Sequence, residues 1–403
     1  MKKALALLLA AAMLVMSGAA LAEEKVTIEF FNVKSEIVDI MNKIIDDFNA
    51  ANPDIEVIQT QVPDASTVLQ TRMQTNDMPD VFSHWATDPA FYAMIENGVV
   101  TDLTGSEALA NVKEDMLAET LYNGSAYAVP ISMNTAGVFY NVDIFNQYGI
   151  EVPTTWDEFI AVCQTLKDNG VTPIAMYNQG GNAATIFDMM EINEVENFEE
   201  VTSQMFNGEL TIDEVPGFRV MAEKLLQIYD YVQEDSFGTD YDGAVTMFSN
   251  GEAAMTINGI WIIPTVKSNN PDLNFSCFAL PADTAEGTRV VYQNDFCLAI
   301  SESCENKEAA ERFIAYVASY DAAQYYADND GSPSYITGVV ASVEEAQPLL
   351  AYFESASNVA IWPDQLWQAG ISSDISGYCQ ELLLGDLSVD EFLTALGEVL
   401  VEH

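Results

Sequence analysis

The chain has two histidines, His84 and the terminal His403, so a Ser-His-Asp triad would have to be built on His84. No G-x-S-x-G elbow accompanies it. H-E-x-x-H, the phosphate-cradling G-x-x-x-x-G-K-[ST] and G-x-G-x-x-G are also absent. With so few histidines, a His/Cys zinc site lacks ligands. Asp328, Asp330 and Ser332 have the alternate spacing that opens a calcium loop, but the position that requires glycine holds Pro333. Paired carboxylates can hydrolyse a glycosidic bond. With 62 acidic residues, however, close pairs arise from composition alone. The sequence thus points to no catalytic group, metal or cofactor, and a secreted glycoside hydrolase stands as the enzymatic alternative. What remains is recognition without reaction. Trp85, Trp156, Trp261, Trp362 and Trp367 offer flat apolar faces, and Asp, Glu and Asn side chains can pair with hydroxyl groups.

These side chains need a scaffold. At 403 residues, 49% of them apolar, the chain is long enough for two domains with substantial cores. Lys2 and Lys3, the 13-residue apolar run Ala4 to Met16 and the Ala20-Leu21-Ala22 site read as a secretory signal peptide over residues 1–22. Export and a mature start at Glu23 are expected. No cysteine follows the run to carry a lipid, and no second run is long enough to span a bilayer. Without Lys2 and Lys3 the balance is 12 basic against 62 acidic residues, a net charge near −50. Such a chain is repelled by nucleic acid and by anionic lipid, and its acidity reads as a solvated surface. The five cysteines show no spacing that specifies a disulfide.

Val26 to Phe31 reads as a first strand. Ile37, Ile40, Met41, Ile44, Ile45 and Phe48 share one helical face, Asn52-Pro53 ends that helix, and Ile55 to Ile58 reads as a second strand. Strand, amphipathic helix and strand form a βαβ unit, which implies α/β class with parallel sheet. Further helices are expected over 217–233, over Lys307 to Ser319 with Asn306 as N-cap, and over 374–384 and 389–401. No repeat or linker divides the chain.

Several segments resemble the family 1 extracellular solute-binding proteins of ABC importers, the maltose-binding-protein superfamily. FNAANPDIEV (Phe48 to Val57) is similar to the family's helix end before strand two, and MPDVFSHWATDP (Met78 to Pro89) to its Pro-Asp-Val strand and ligand loop. Asn123 to Phe159 carries a Tyr-Ala-x-Pro crossover, a Tyr-Asn-x-Asp strand end and a Pro-x-x-Trp-Asp-Glu-Phe helix start. NGEAAMTINGIW (Asn250 to Trp261), Asn294 to Ser319 and SPSYITGV (Ser332 to Val339) follow in the family's order. The chain departs from the family in lacking the lipid-anchoring cysteine of Gram-positive members, and in having Tyr292-Gln293-Asn294-Asp295 where a Gly-Gly segment is common.

The resemblance implies a two-lobed, type II periplasmic-binding-protein-like fold with a ligand cleft between lobes. Lobe one would hold 23–130 plus 280–328 and lobe two 131–279 plus 329–403, with hinge crossings near Val129-Pro130, Ala279 to Pro281 and Asp328. It implies an exported, monomeric carrier of a small molecule, most simply a mono- or oligosaccharide, with ABC permease subunits as partners. A domain presenting solute to a membrane receptor is the other binding role. Open α/β sheets bind ligands at strand carboxyl ends. The expected site residues there are Glu36, Trp85, Asp88, Asn134, Asn182, Trp261, Asn294 and Asp295, with Trp362 and Trp367 as further stacking candidates. Trp261 follows Asn258-Gly259, where a glycine would let the chain turn sharply. Trp156, at a helix start, reads as core and His84 as a packing residue.

Overall fold

The structure is a computed structural model that describes residues 25–368 and 370–402. The expected signal peptide and cleavage site lie outside these residues. Eleven strands are described: β1 (Val26–Phe31), β2 (Ile55–Thr60), β3 (Val81–His84), β4 (Val129–Pro130), β5 (Met133–Asn141), β6 (Thr172–Ala175), β7 (Ala253–Gly259), β8 (Phe275–Phe278), β9 (Val290–Asn294), β10 (Cys297–Ile300) and β11 (Val359–Ile361). They form two mixed sheets, ordered β2-β1-β3-β10-β4 and β11-β9-β5-β7-β6, with β8 also on β5. The α/β class and the βαβ start are as expected: β1 runs parallel to β2 and to β3.

Each sheet has apolar packing on both faces because strand side chains alternate. On β1, Ile28 and Phe30 enter one core while Phe31 enters another. On β5, Ala136 and Val138 point one way and Phe139 the other. The helix Val38–Ala51 buries the six-residue face read from its periodicity, except that Ile37 sits in the short turn before it.

Helix ends differ from the sequence reading where side chains decide them. The helix Lys307–Val317 stops short of Ser319, whose hydroxyl caps the next helix, Tyr320–Asp330, by accepting from Ala322 N. Asn306 holds the N-cap position but makes no capping bond. The helix Pro216–Tyr229 ends before Val232, which instead bridges to Ile174 of β6. The last two helices, Ile371–Leu384 and Val389–Glu402, lie close to the expected spans and pack on the second sheet's core.

The chain passes between sheets three times. The first passage is over Ile131-Ser132, between β4 and β5. The second is over Asp295-Phe296, between β9 and β10, not at Ala279–Pro281. β9 bonds to β5 and β11, so residues up to Asn294 belong with the second sheet. The third lies near Ser342, beyond Asp328: Tyr335, Ile336, Val339 and Ala341 pack in the first sheet's core, and Val343 and Leu349 in the second's. Two of the three crossings therefore move, because strand pairing rather than local sequence sets them. At the seam Asp295 N donates to Ser132 O, and Ser132 bridges to Ser334.

All five cysteines are buried thiols. Among the described residues no helix is long and apolar enough to cross a membrane, and no group of three or more His, Cys, Asp or Glu side chains is placed to hold a metal ion.

Candidate ligand-binding site

The carboxyl ends of β1 and β3 in one sheet, and of β7, β9 and β11 in the other, deliver side chains to a shared cavity of about 300 Å³. Five expected residues line it: Glu36, Trp85, Asp88, Trp261 and Asp295. Lys34, Gln293, Asp364 and Gln365 also line it. Of these four, Lys34 lies two residues before Glu36 in the loop after β1. Gln293 precedes Asn294, and Asp364-Gln365 follow a Trp-Pro pair, a local turn signal without a ligand signature.

After β1 the chain is pinned by Val33 N donating to Ser83 Oγ and Lys34 N to Asn32 Oδ1. This aims Lys34 into the seam, where its Nζ lies 2.5 Å from Asp295 Oδ2 and 3.4 Å from Glu36 Oε1. Burial opposes the Lys34 ammonium, but the charges of Asp295, Glu36 and Asp330 outweigh it, and its pKa moves up. Burial raises Glu36 against the pull of Lys34. Burial pushes Asp330 up to about 7, again opposed by Lys34. Asp330 and Ser332, two residues of the calcium-like spacing, hydrogen-bond each other beside this cluster.

After β3, Asp88 caps the helix Pro89–Glu96, accepting from Ala90 N at 2.6 Å. His84 is buried, with its ring stacked on Phe91, and is a packing residue. Thr87 Oγ1 donates to Gln365 Oε1, a direct bond between the two lobes beside the cavity. Gln365 Nε2 donates to Asp364 Oδ1 at 2.8 Å. Burial pushes Asp364 up to about 7; the Gln365 bond opposes this and the charge of Asp88 adds to it.

Trp261 sits in the turn Ile260–Ile262, directly after β7. Gly259 is extended there, with φ −95°, so it does not supply the sharp turn read from the sequence. It supplies space: a Cβ on Gly259 would lie 1.9 Å from Trp261 Cζ3. Gly259→Ala is therefore expected to push the indole off its seat and weaken ligand binding by about tenfold or more, about 1.4 kcal/mol. Tryptophan emission and calorimetry of the variant check this; an unchanged affinity would mean that the indole's placement is irrelevant to binding.

The other expected residues sit behind the cavity. Trp362 and Trp367 are core residues, 4% and 5% exposed. Trp362 N donates to Tyr292 O, and its ring centre lies 6.2 Å from that of Trp261. Asn294 Oδ1 accepts from Ala86 N and so holds the turn that carries Trp85. Asn134 is buried in β5 opposite Gln293. Asn182 begins the helix Asn182–Glu194 and donates from Nδ2 to Ile257 O. Trp156 is buried as core, its Nε1 donating to Gln227.

A cleft between two α/β lobes, closed in by strand ends of both sheets, matches one family by sequence. Residues 34–324 match the family described as bacterial extracellular solute-binding protein. The chain belongs to that family. The multiple sugar-binding protein of Streptococcus mutans is 31% identical over 352 residues, covering 86% of this chain and 84% of the relative. The melibiose/raffinose/stachyose-binding protein MelE of Bacillus subtilis is 23% identical over 87% of this chain and 82% of its own length. Among solved structures, SBP RafE in complex with raffinose superimposes with a TM-score of 0.82 at 25% identity, covering 94% of this chain and all of that one. The family consists of binding proteins described as extracellular, and its two-lobed fold is the one seen here.

Proposed function

We propose that this solute-binding protein captures a mono- or oligosaccharide outside the cytoplasm, releases it unchanged, and hands it to the permease of an ABC importer. The carrying observation is the cavity, with one indole from each lobe (Trp85 and Trp261) among carboxylates and amides (Asp88, Asp364, Gln293 and Gln365). Indoles cover the C–H faces of sugar rings while carboxylates and amides pair with the hydroxyl rim. The names of the sugar-binding relatives support the same reading. The proposed lobes meet along the three passages at Ile131-Ser132, Asp295-Phe296 and Ser342, and closure about that seam traps the ligand. Glu36, Trp85, Asp88, Trp261 and Asp295 are the proposed contacts carried forward from the sequence, with Lys34, Gln293, Asp364 and Gln365 added.

A thermal-shift screen against glucose, galactose, maltose, melibiose, raffinose and stachyose tests this. A ligand that binds only the native state raises its melting temperature, by about 2.7 kcal/mol of stability at a hundred times Kd. A saturable rise with at least one sugar is expected. No rise with any of them, alongside a rise with peptides or other solutes, would overturn the sugar reading.

A further inference from the structure

We propose that the cavity discriminates by charge: it admits neutral and amino sugars and rejects sugars bearing a carboxylate, with Asp88 and Asp364 doing the rejecting from opposite lobes. This rests on the sugar-binding reading above. Four of the lining side chains are carboxylates, Glu36, Asp88, Asp295 and Asp364, and Lys34 is the one basic group among them. Lys34 is 4% exposed and already committed to Asp295 and Glu36. It cannot turn to a ligand without stripping those partners, which leaves buried charges unpaired.

Asp88 and Asp364 have no ion pair among the described residues. Behind Asp364 lies a second carboxyl. Asp188 is buried with Oδ1 unpartnered; burial first, and then the charge of Asp364, raise its carboxyl well above the usual range, so that a second full negative charge is disfavoured beside Asp364. A ligand hydroxyl or ammonium finds acceptors here. A ligand carboxylate would meet the unpaired Asp88 carboxylate and would compete for the acceptor side of Asp364, with no free cation among the described lining residues to offset its charge.

The test uses glucose, galactose, maltose, melibiose and raffinose, each as the neutral sugar and as derivatives carrying a carboxylate or an amine at C6 of a terminal hexose. Affinities are measured by calorimetry with the wild type, Asp88→Asn and Asp364→Asn. Asparagine keeps the size of each side chain and can still cap the helix at position 88. For any neutral sugar that binds, the carboxylate form is expected to bind at least about 100-fold more weakly and the amine form within about tenfold. One of the Asn variants should narrow the carboxylate-to-neutral ratio by about tenfold or more. The ratio is the readout because either variant also removes an acceptor from the neutral sugar.

A carboxylate form that matches its neutral parent, an amine form lost as completely as the acid, or a ratio unmoved in both variants would each overturn the proposal. Binding of acids without their neutral parents overturns it while leaving a sugar-binding site. Binding by none of the probes at millimolar concentration removes the sugar reading and this proposal together.

Discussion

Trp261→Ala is expected to weaken sugar binding by about 2–4 kcal/mol while lowering folding stability by less. The indole lies over Gly259, has the Trp362 ring 6.2 Å away, and lines the cavity. A partly exposed ring that packs on two cores loses some packing when truncated. Because the ring is only partly buried, the loss should fall short of the roughly 3–5 kcal/mol of a fully buried aromatic. Calorimetry with the tightest sugar of the screen and a denaturant melt of the same variant separate the two effects. Near-normal affinity with a collapsed midpoint would make Trp261 a core residue and leave Trp85 as the stacking platform.

Lys34→Met is expected to destabilise the fold by about 3–5 kcal/mol at neutral pH, because it leaves carboxylates buried without their cation. The sign of the pH dependence follows from the directions. Lys34 lowers both Glu36 and Asp330, whose carboxyls burial already raises, so its removal raises them further. A carboxylic acid raised in the folded state holds its proton there. Its unfavourable charge is absent at low pH and develops as pH rises from the unfolded value through the folded one. The variant should therefore recover most of its stability as the solution is brought from pH 8 to pH 5, measured as the urea midpoint. A deficit equal at both pH values would show that lost packing, not unpaired charge, is responsible. Adding Asp295→Leu to Lys34→Met should restore part of the midpoint at pH 8, since removing both partners leaves one fewer unpaired charge.

How much of this was legible in the sequence follows from which interactions are local. The βαβ start could be read because the apolar face of Val38–Ala51 has helical period and Asn52-Pro53 stops it. Glu36, Trp85, Asp88, Trp261 and Asp295 could be placed because each lies in the loop or turn that follows a strand's carboxyl end. Asp364 and Gln365 could not. They follow the three-residue strand β11, whose place at the sheet edge comes from pairing with β9, about 70 residues earlier. The second crossing was missed for the same reason: β9 looks like part of the returning strand until its bonds to β5 are known. Trp362 and Trp367 read as stacking candidates from the sequence because an aromatic carries the same letter on either side of a cavity wall. Burial in the core decides their side, and that depends on distant packing partners rather than on neighbouring residues.

The most direct measurement of the central claim is calorimetric titration with the sugars of the thermal-shift screen, followed by chromatography of the sugar recovered from the mixture after prolonged incubation. A two-lobed carrier with one cavity predicts saturable one-to-one binding by at least one sugar and its quantitative recovery intact. Progressive cleavage that tracks the purified protein, with Asp364→Asn abolishing it, would contradict the account and make the cavity carboxylates a hydrolytic pair.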